Sequence, residues 1–394
     1  ARERVLEFFD ADPAQYEVSF TLNASNSLKL VAESYPFGPG TRLLLTADNH
    51  NSVHGVREFA AARDARVLYV PLDHDLRVAD LASHLAGADR AQPNLFIYPA
   101  QSNFSGVKHP LDWVELARDH GYDVYLDAAA FAPTSRLSLR RVTPDFVCIS
   151  FYKMFGLPTG VGALLARKEA LTKLRRPWFG GGTVRFVSAQ NEVHMMHSTG
   201  RGFEDGTPNF LCIAAVPTGL DFLEGIGMER ICAHVERLTG MLLRELQEMR
   251  HSDGAPMVRI YGPCTAERRG GAVAFNLLDP EGHPVDFRIV EQRANEANLS
   301  LRTGFFCNPG AAEFAFEYVS EEALRCFREL TPETFTIQQF SICMSDKPVG
   351  AIRVSLGLPG NEADIRRLIE VLASFRDAPA APFGARPVAA AAHS

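Results

Sequence analysis

The sequence predicts an α/β fold built on a mostly parallel sheet, and three observations predict it. Apolar, β-like runs alternate with helical patterns at roughly 25–30-residue spacing, as βα units do. Several of those runs are continuous in Val, Leu and Ile, which suits a sheet covered on both faces. The polar residues able to do chemistry fall at the ends of the runs, where open α/β sheets collect their ligands.

The elements follow in order. Residues 2–9 read as a short amphipathic helix, and 16–22 alternate like a strand before the polar stretch 23–27. Helical spacing covers 28–34, and 42–46 is an apolar strand leading into the polar run 48–52. A helix is expected over 53–62, then strands at 66–71 and 95–99, the latter followed by a turn at 102–106. Residues 113–120 are helical, and 123–127 form a strand ending in the carboxylate of Asp127. Strand 145–150 stops just before a loop bearing Lys153, and 161–166 is one more strand. From 212 to 249 the spacing of Leu220, Leu223, Ile231, Val235, Leu238, Leu242, Leu243 and Leu246 gives a long helical pattern. Strand and helix patterns alternate again to residue 376, and 378–394 is Ala/Pro-rich and aperiodic.

A chain of 394 residues exceeds what one core usually serves. The expected division is a large domain over 1–255, a smaller α/β domain over 256–376 and a disordered tail over 377–394. A net charge of −7 without a dense Lys/Arg block argues against nucleic acid. No apolar stretch is long enough to span a bilayer, and no signal-peptide pattern opens the sequence, so a cytoplasmic protein without membrane attachment is the simplest expectation. Seven cysteines are scattered without a CxxC pair, so neither a disulfide framework nor a zinc site is expected. Most of them should be small buried apolar residues.

Each candidate residue has two readings. Lys153 follows an apolar strand with little polar company; desolvation there favours a neutral, nucleophilic amine, although a lone lysine at a strand end is ordinarily a surface residue. Asp127, followed by three alanines, needs a partner: a pyridinium nitrogen, or the N–H groups of a helix it caps. His50 could stack on a planar ring as an acid or base, or simply sit in a turn. The stretch Ala24, Ser25, Asn26, Ser27 opens a helix after a strand, as a phosphate cradle or as a plain serine cap. Thr207, in the turn-rich residues 204–209, is a phosphate ligand or a turn residue. Cys307 lies between Gly304 and Gly310 on what reads as a flexible loop, and is a nucleophile or a buried thiol. Arg353, in a strand pattern, could fork onto a carboxylate or make an ordinary ion pair.

Singly these signals are modest, but their order along one chain is specific. The stretches DNHNSV (48–53), PAQSNFSG (99–106), LDAAAFAPT (126–134), PDFVCISFYKMFGLPTGVGALLAR (144–167), FGGGTV (179–184), FEDGTPNF (203–210), LRTGFFCNPGA (301–311) and KPVGAIRVSLG (347–357) carry a resemblance over residues 1–376. The sequence resembles the class V aminotransferase family of fold-type I pyridoxal-phosphate enzymes. Within that family it is most similar to the cysteine-desulfurase-like domain of molybdenum cofactor sulfurases. The resemblance implies a seven-stranded-type, mostly parallel sheet and pyridoxal 5'-phosphate as cofactor. Lys153 then matches the Schiff-base lysine, Asp127 the pyridinium partner and His50 the residue stacked on the ring. Ala24, Ser25 and Ser150 match phosphate-loop positions, and Thr207 a residue reaching the phosphate of a neighbouring subunit, which implies a homodimer. Asn103 matches a residue near the cofactor oxygen and the substrate carboxylate, Arg353 and Arg302 match substrate-binding positions, and Cys307 aligns with the desulfurase nucleophile. Asn23 stands where relatives have glycine, so the turn there must differ or take a left-handed Asn.

The implied reaction removes sulfur from L-cysteine, or an analogue, as a Cys307 persulfide, releases alanine and passes the sulfur to an acceptor protein or small molecule. The same fold and cofactor also serve C–S lyases, aminotransferases and epimerases. A non-catalytic scaffold is the alternative from a different class.

Overall fold

The computed structural model describes residues 1–379 other than 319, 320, 332, 334, 345 and 346, so nearly all of the expected tail lies outside the described residues. The chain forms two compact units. The first comprises Ala1–Pro71, Val78–Ser102 and Lys108–Ala233; the second comprises Leu72–Arg77, Asn103–Val107 and the chain from His234. The boundary therefore falls inside a helix, Met228–Glu248, and not near the expected residue 255. Continuous helical periodicity cannot mark where contacts change hands.

The first unit is built on a seven-stranded sheet. Its strands are β1 (Tyr16–Thr21), β2 (Arg42–Thr46), β3 (Arg66–Val70), β4 (Asn94–Pro99), β5 (Tyr122–Asp127), β6 (Phe146–Ser150) and β7 (Gly162–Arg167), in the spatial order β1-β7-β6-β5-β4-β2-β3. The pairs β3–β2, β2–β4, β4–β5 and β5–β6 are parallel, and β7 runs antiparallel to both its neighbours. Strands β4 and β6 are buried along their whole length, as their unbroken apolar runs require. The helix Ala24–Ser34 covers one face with Leu28 and Val31, which, with Tyr35 just past its end, join one apolar cluster with Leu43, Leu45, Leu95, Ile97, Phe146 and Leu164.

That helix begins with a cap that the sequence had left open. Asn23 is fully extended, at φ −176°, and its side chain accepts the N–H of Asn26. No left-handed residue is needed. The start of β7 presses on this turn: a Cβ on Gly162 would lie 2.7 Å from Asn23 Cα and 2.7 Å from the Ile149 carbonyl oxygen.

Three features depart from expectation. The helix expected over 53–62 is two pieces, Asn51–His54 and Val56–Ala61. The long pattern from 212 breaks at Gly227, φ +97°, between Val216–Ile226 and Met228–Glu248. A two-stranded hairpin, β8 (Val184–Ser188) and β9 (Val193–Met196), exposes Phe186, Val187, Val193 and Met195. Among the described residues, no single helix is long and apolar enough to cross a membrane.

The second unit carries a four-stranded antiparallel sheet, β10 (Val258–Tyr261), β11 (Ala272–Leu277), β12 (Arg302–Gly304) and β13 (Ala351–Ser355), in the order β10-β11-β13-β12. The helices Phe287–Glu296 and Glu362–Ala373 bury Val290, Leu368 and Leu372. The cysteines are less uniform than expected. Cys326 and Cys343 form a disulfide, Cys264 and Cys307 are exposed, and Cys212 and Cys232 are half-buried. Cys326 and Cys343 lie on neighbouring helices, Glu321–Glu329 and Ile337–Cys343, and a linear spacing of 17 carries no signature of that pairing.

Gly162→Ala should lower stability by about 1–3 kcal/mol, because neither contact of the new methyl is a flexible side chain. Thermal unfolding of the two proteins checks it.

Candidate active site

In the first unit the chemistry gathers at the carboxyl ends of β2, β5 and β6. Past β2 the chain continues as Asp48, Asn49 and His50. The buried amide of Asn49 donates to the Thr46 carbonyl (2.8 Å), the Thr46 hydroxyl (3.1 Å) and the Ile97 carbonyl (3.1 Å), tying this loop to β2 and β4. Asp48 meets His109 Nε2 at 2.7 Å, both side chains buried. These contacts fix the base of the turn that presents His50, whose Nδ1 accepts the N–H of Ser52 and caps the helix Asn51–His54. Ser52 Oγ lies 2.6 Å from Ser25 Oγ. Ser150 Oγ accepts the N–H of Ala24 at 3.0 Å. Ala24, Ser25, His50 and Ser150 are thus joined through hydroxyls at the amino end of one helix, and Ser25 is not its cap: Asn23 is.

Asp127 sits 7% exposed at the end of β5. Its Oδ1 accepts the N–H of Ala129 at 2.9 Å and the Cys148 thiol at 3.5 Å. Among the described residues Oδ2 has no hydrogen bond, so a buried carboxylate is satisfied on one oxygen only. Lys153 was expected in a desolvated loop. It instead belongs to a helical turn, Phe151–Phe155, in which Phe151 and Met154 take the buried side and Tyr152 and Lys153 face out. Its ammonium lies 5.8 Å from the Tyr152 ring centroid, makes no ion pair among the described residues, and acts electrostatically on the Cys148 thiol. Thr207 is exposed in a loop whose neighbour Gly206 bonds to the Gly181 carbonyl.

In the second unit Cys307, Asn103, Arg353 and Asn308 come together. Asn103 donates to the Phe306 carbonyl at 2.7 Å and accepts from Asn308 Nδ2 at 2.9 Å; its own carbonyl takes Arg353 Nη1 at 2.7 Å. The Asn103 amide is therefore committed to the cysteine loop, a use its expected place beside cofactor and substrate did not suggest. Phe306 and Cys307 both have positive φ, +56° and +55°, and each costs of order 1–2 kcal/mol for a side-chain-bearing residue. The Arg353 guanidinium lies 4.9 Å over the Phe306 ring, its Nε buried without a partner and without an acid among the described residues. Burial, then Arg302, holds its pKa below the ordinary arginine value. Arg302 stands opposite Arg353 in the β12–β13 register and is exposed.

Asn49, Ser52, Cys148 and Asn308 were missed in the sequence. Cys148 alone carried a signal: it is two residues before Ser150 on a strand, hence on the same face.

The family model for Aminotransferase class-V matches residues 1–368. Molybdenum cofactor sulfurase 3 of Aedes aegypti is 36% identical over 391 residues, covering 94% of this chain and 50% of that protein. Molybdenum cofactor sulfurase of Bos taurus is 35% identical over 404 residues, covering 95% and 45%. The chain thus spans about half the length of the curated relatives it matches. Among solved structures, the apo cysteine desulfurase of Thermococcus onnurineus NA1 superposes with a TM-score of 0.76 at 23% identity, covering 95% of this chain and 82% of that one. A cysteine desulfurase of Escherichia coli in its S-sulfonic acid form gives 0.74 at 19%, covering 94% and 81%. These two likenesses establish the fold.

His54, beside this site, gives a pH test. Burial first, and Arg57 second, push its pKa down to about 4 from 6.5, so the folded protein holds it neutral. The unfolded chain then binds the extra proton between those values. Stability should be full above pH 6.5 and fall as pH drops towards 4, by roughly 2–3 kcal/mol from this group. His54→Phe keeps a ring against Tyr69 and should flatten that slope in denaturant titrations across the window.

Proposed function

Because the chain belongs to the class-V aminotransferase family, we propose that it is a pyridoxal-phosphate-dependent enzyme that takes sulfur from L-cysteine and holds it on Cys307. The observation that carries the reading is Asp127. A carboxylate with one oxygen pinned, the other open and an apolar wall around it is built for a cationic N–H, and a protonated pyridine nitrogen is one.

When bound, pyridoxal phosphate supplies an electron sink for the pair released as the substrate's Cα–H bond breaks. Lys153 would hold the cofactor through its amine and would move the proton at Cα. Asp127 would keep the ring nitrogen protonated, and His50 would stand beside the ring. The amino end of the helix Ala24–Ser34, with Ala24, Ser25 and Ser150, offers N–H groups and hydroxyls for the phosphate. Arg353, without an acid partner among the described residues, takes the substrate carboxylate, and the exposed guanidinium of Arg302 adds positive charge. The Cys307 thiolate attacks the substrate sulfur. The Cβ–S bond breaks, its electron pair stays with carbon, which gains a proton, and alanine leaves. Cys307 keeps the sulfur as a persulfide for an acceptor protein or small thiol.

Cys307 separates this from a lyase, aminotransferase or epimerase of the same fold. Its thiol is exposed and held in a left-handed conformation, a strain that simple packing does not need. The exposed Phe186, Met195, Phe210 and Leu211 support a homodimer in which a second copy covers them and Thr207 serves the neighbouring site.

The purified protein should show a visible absorbance band that L-cysteine perturbs, and should form alanine and sulfide in equal amounts with a thiol reductant present. Lys153→Ala should abolish the band. Cys307→Ser should keep the band and its response to cysteine while losing at least ~100-fold of sulfide release, a conservative figure for removing a nucleophile. Pyruvate as the product would assign a lyase instead.

A further inference from the structure

Asp127 has a second layer beneath it. The last residue of β5 lies opposite Cys148 in the parallel register with β6. Cys148 is fully buried, and its thiol points at the same oxygen, Oδ1, that takes the N–H of Ala129. Burial, and then the Asp127 charge, raise the thiol well above its ordinary value, so the sulfur keeps its proton and donates. Tyr125 is two residues before Asp127 on the same face of β5 and is also fully buried. Its hydroxyl has no oxygen or nitrogen partner and lies within electrostatic reach of the Cys148 sulfur. A buried hydroxyl is costly unless it serves something, and a strand interior would accept valine or phenylalanine at these positions without that cost.

We propose that Cys148 and Tyr125 are positioning residues for Asp127. The phenol is aimed at the sulfur and the thiol at Oδ1, which turns Oδ2 towards the cofactor ring nitrogen. The inference rests on the cofactor reading above. Donors on Oδ1 favour the ionised form of the carboxylate, which leaves Oδ2 as an acceptor, so the proton shared with the ring stays on nitrogen. No proton is transferred along the chain; each donor keeps its own.

The test uses the full chain loaded with pyridoxal phosphate, and two readouts other than turnover: the pH midpoint of the visible band and the dissociation constant for pyridoxal phosphate. Cys148→Ala should raise the midpoint, because a ring nitrogen with a weaker hold on its proton withdraws less charge from the linkage to Lys153. A shift of about 0.5–1 pH unit, with about 3–10-fold weaker cofactor binding, matches the loss of one hydrogen bond of ordinary strength, a thiol being a weak donor. Cys148→Ser restores a donor and should stay within about twofold of the parent. Tyr125→Phe preserves shape, keeps the test open should the alanine variant fold poorly, and should move the midpoint in the same direction by less. An alanine variant with the parent midpoint and affinity would reduce the thiol to packing, as would equal shifts in the alanine and serine variants. A parent protein that takes up no pyridoxal phosphate would overturn the cofactor reading itself, and this inference with it.

Discussion

Asp127 carries a negative charge to the end of a strand whose neighbours are almost all apolar, and an uncompensated carboxylate there would cost several kcal/mol. The compensation is lopsided. Ala129 and Cys148 both serve Oδ1, and Oδ2 has no partner among the described residues. The neighbouring strands are arranged around that asymmetry. The register of β5 and β6 puts Cys148 under the carboxylate and Ser150 one step beyond it. Ser150 reaches the helix Ala24–Ser34 through the amide of Ala24, and Gly162 lets β7 close against the cap of that helix. A shift of one residue between β5 and β6 would turn Cys148 to the other face and break its bond to Asp127.

In the second unit the constraint is strain. Two successive residues with side chains, Phe306 and Cys307, adopt left-handed backbone, and something must repay that. Asn103 donates its side-chain N–H to the Phe306 carbonyl, in the peptide between the two strained residues, Asn308 donates in turn to Asn103 Oδ1, and Asn308 also caps the helix Pro309–Ala315 through the N–H of Ala311. The Phe306 ring lies beneath Arg353 and against Phe104. The cysteine is therefore exposed on a loop held by hydrogen bonds and packed rings. The sequence pointed to a flexible loop because glycines flank this segment; the structure adds the contacts that tie the residues between them.

The parts legible in the sequence were those governed by local chemistry. Every strand of the seven-stranded sheet was expected within one residue at each end, because strands buried on both faces read as apolar runs. The residues at the strand ends were legible for the same reason: a polar group after such a run has little else to do than meet a ligand or cap a helix. What escaped depends on pairing across distance. The hairpin of β8 and β9 is exposed on both sides and has no buried face to pattern. The Cys326–Cys343 pair, the grip of Asn103 on the cysteine loop and the boundary inside the helix Met228–Glu248 are all set by contacts far apart in sequence.

The two readings weighed for each residue were in several cases not alternatives. Asp127 binds a backbone N–H two residues on, as a capping aspartate would, and still leaves an oxygen open. His50 caps a helix through Nδ1 and stands at the end of β2 beside the hydroxyls of Ser52 and Ser25. This overlap has a physical reason. A group that must present one atom to a ligand in a fixed direction needs its other atoms bound, and the cheapest partners are the free N–H groups at a nearby helix start. Capping is how such a side chain is aimed. In Asp127 the ordinary structural role and the chemical one then occupy different atoms, and the oxygen without a hydrogen bond among the described residues marks where the chemistry belongs.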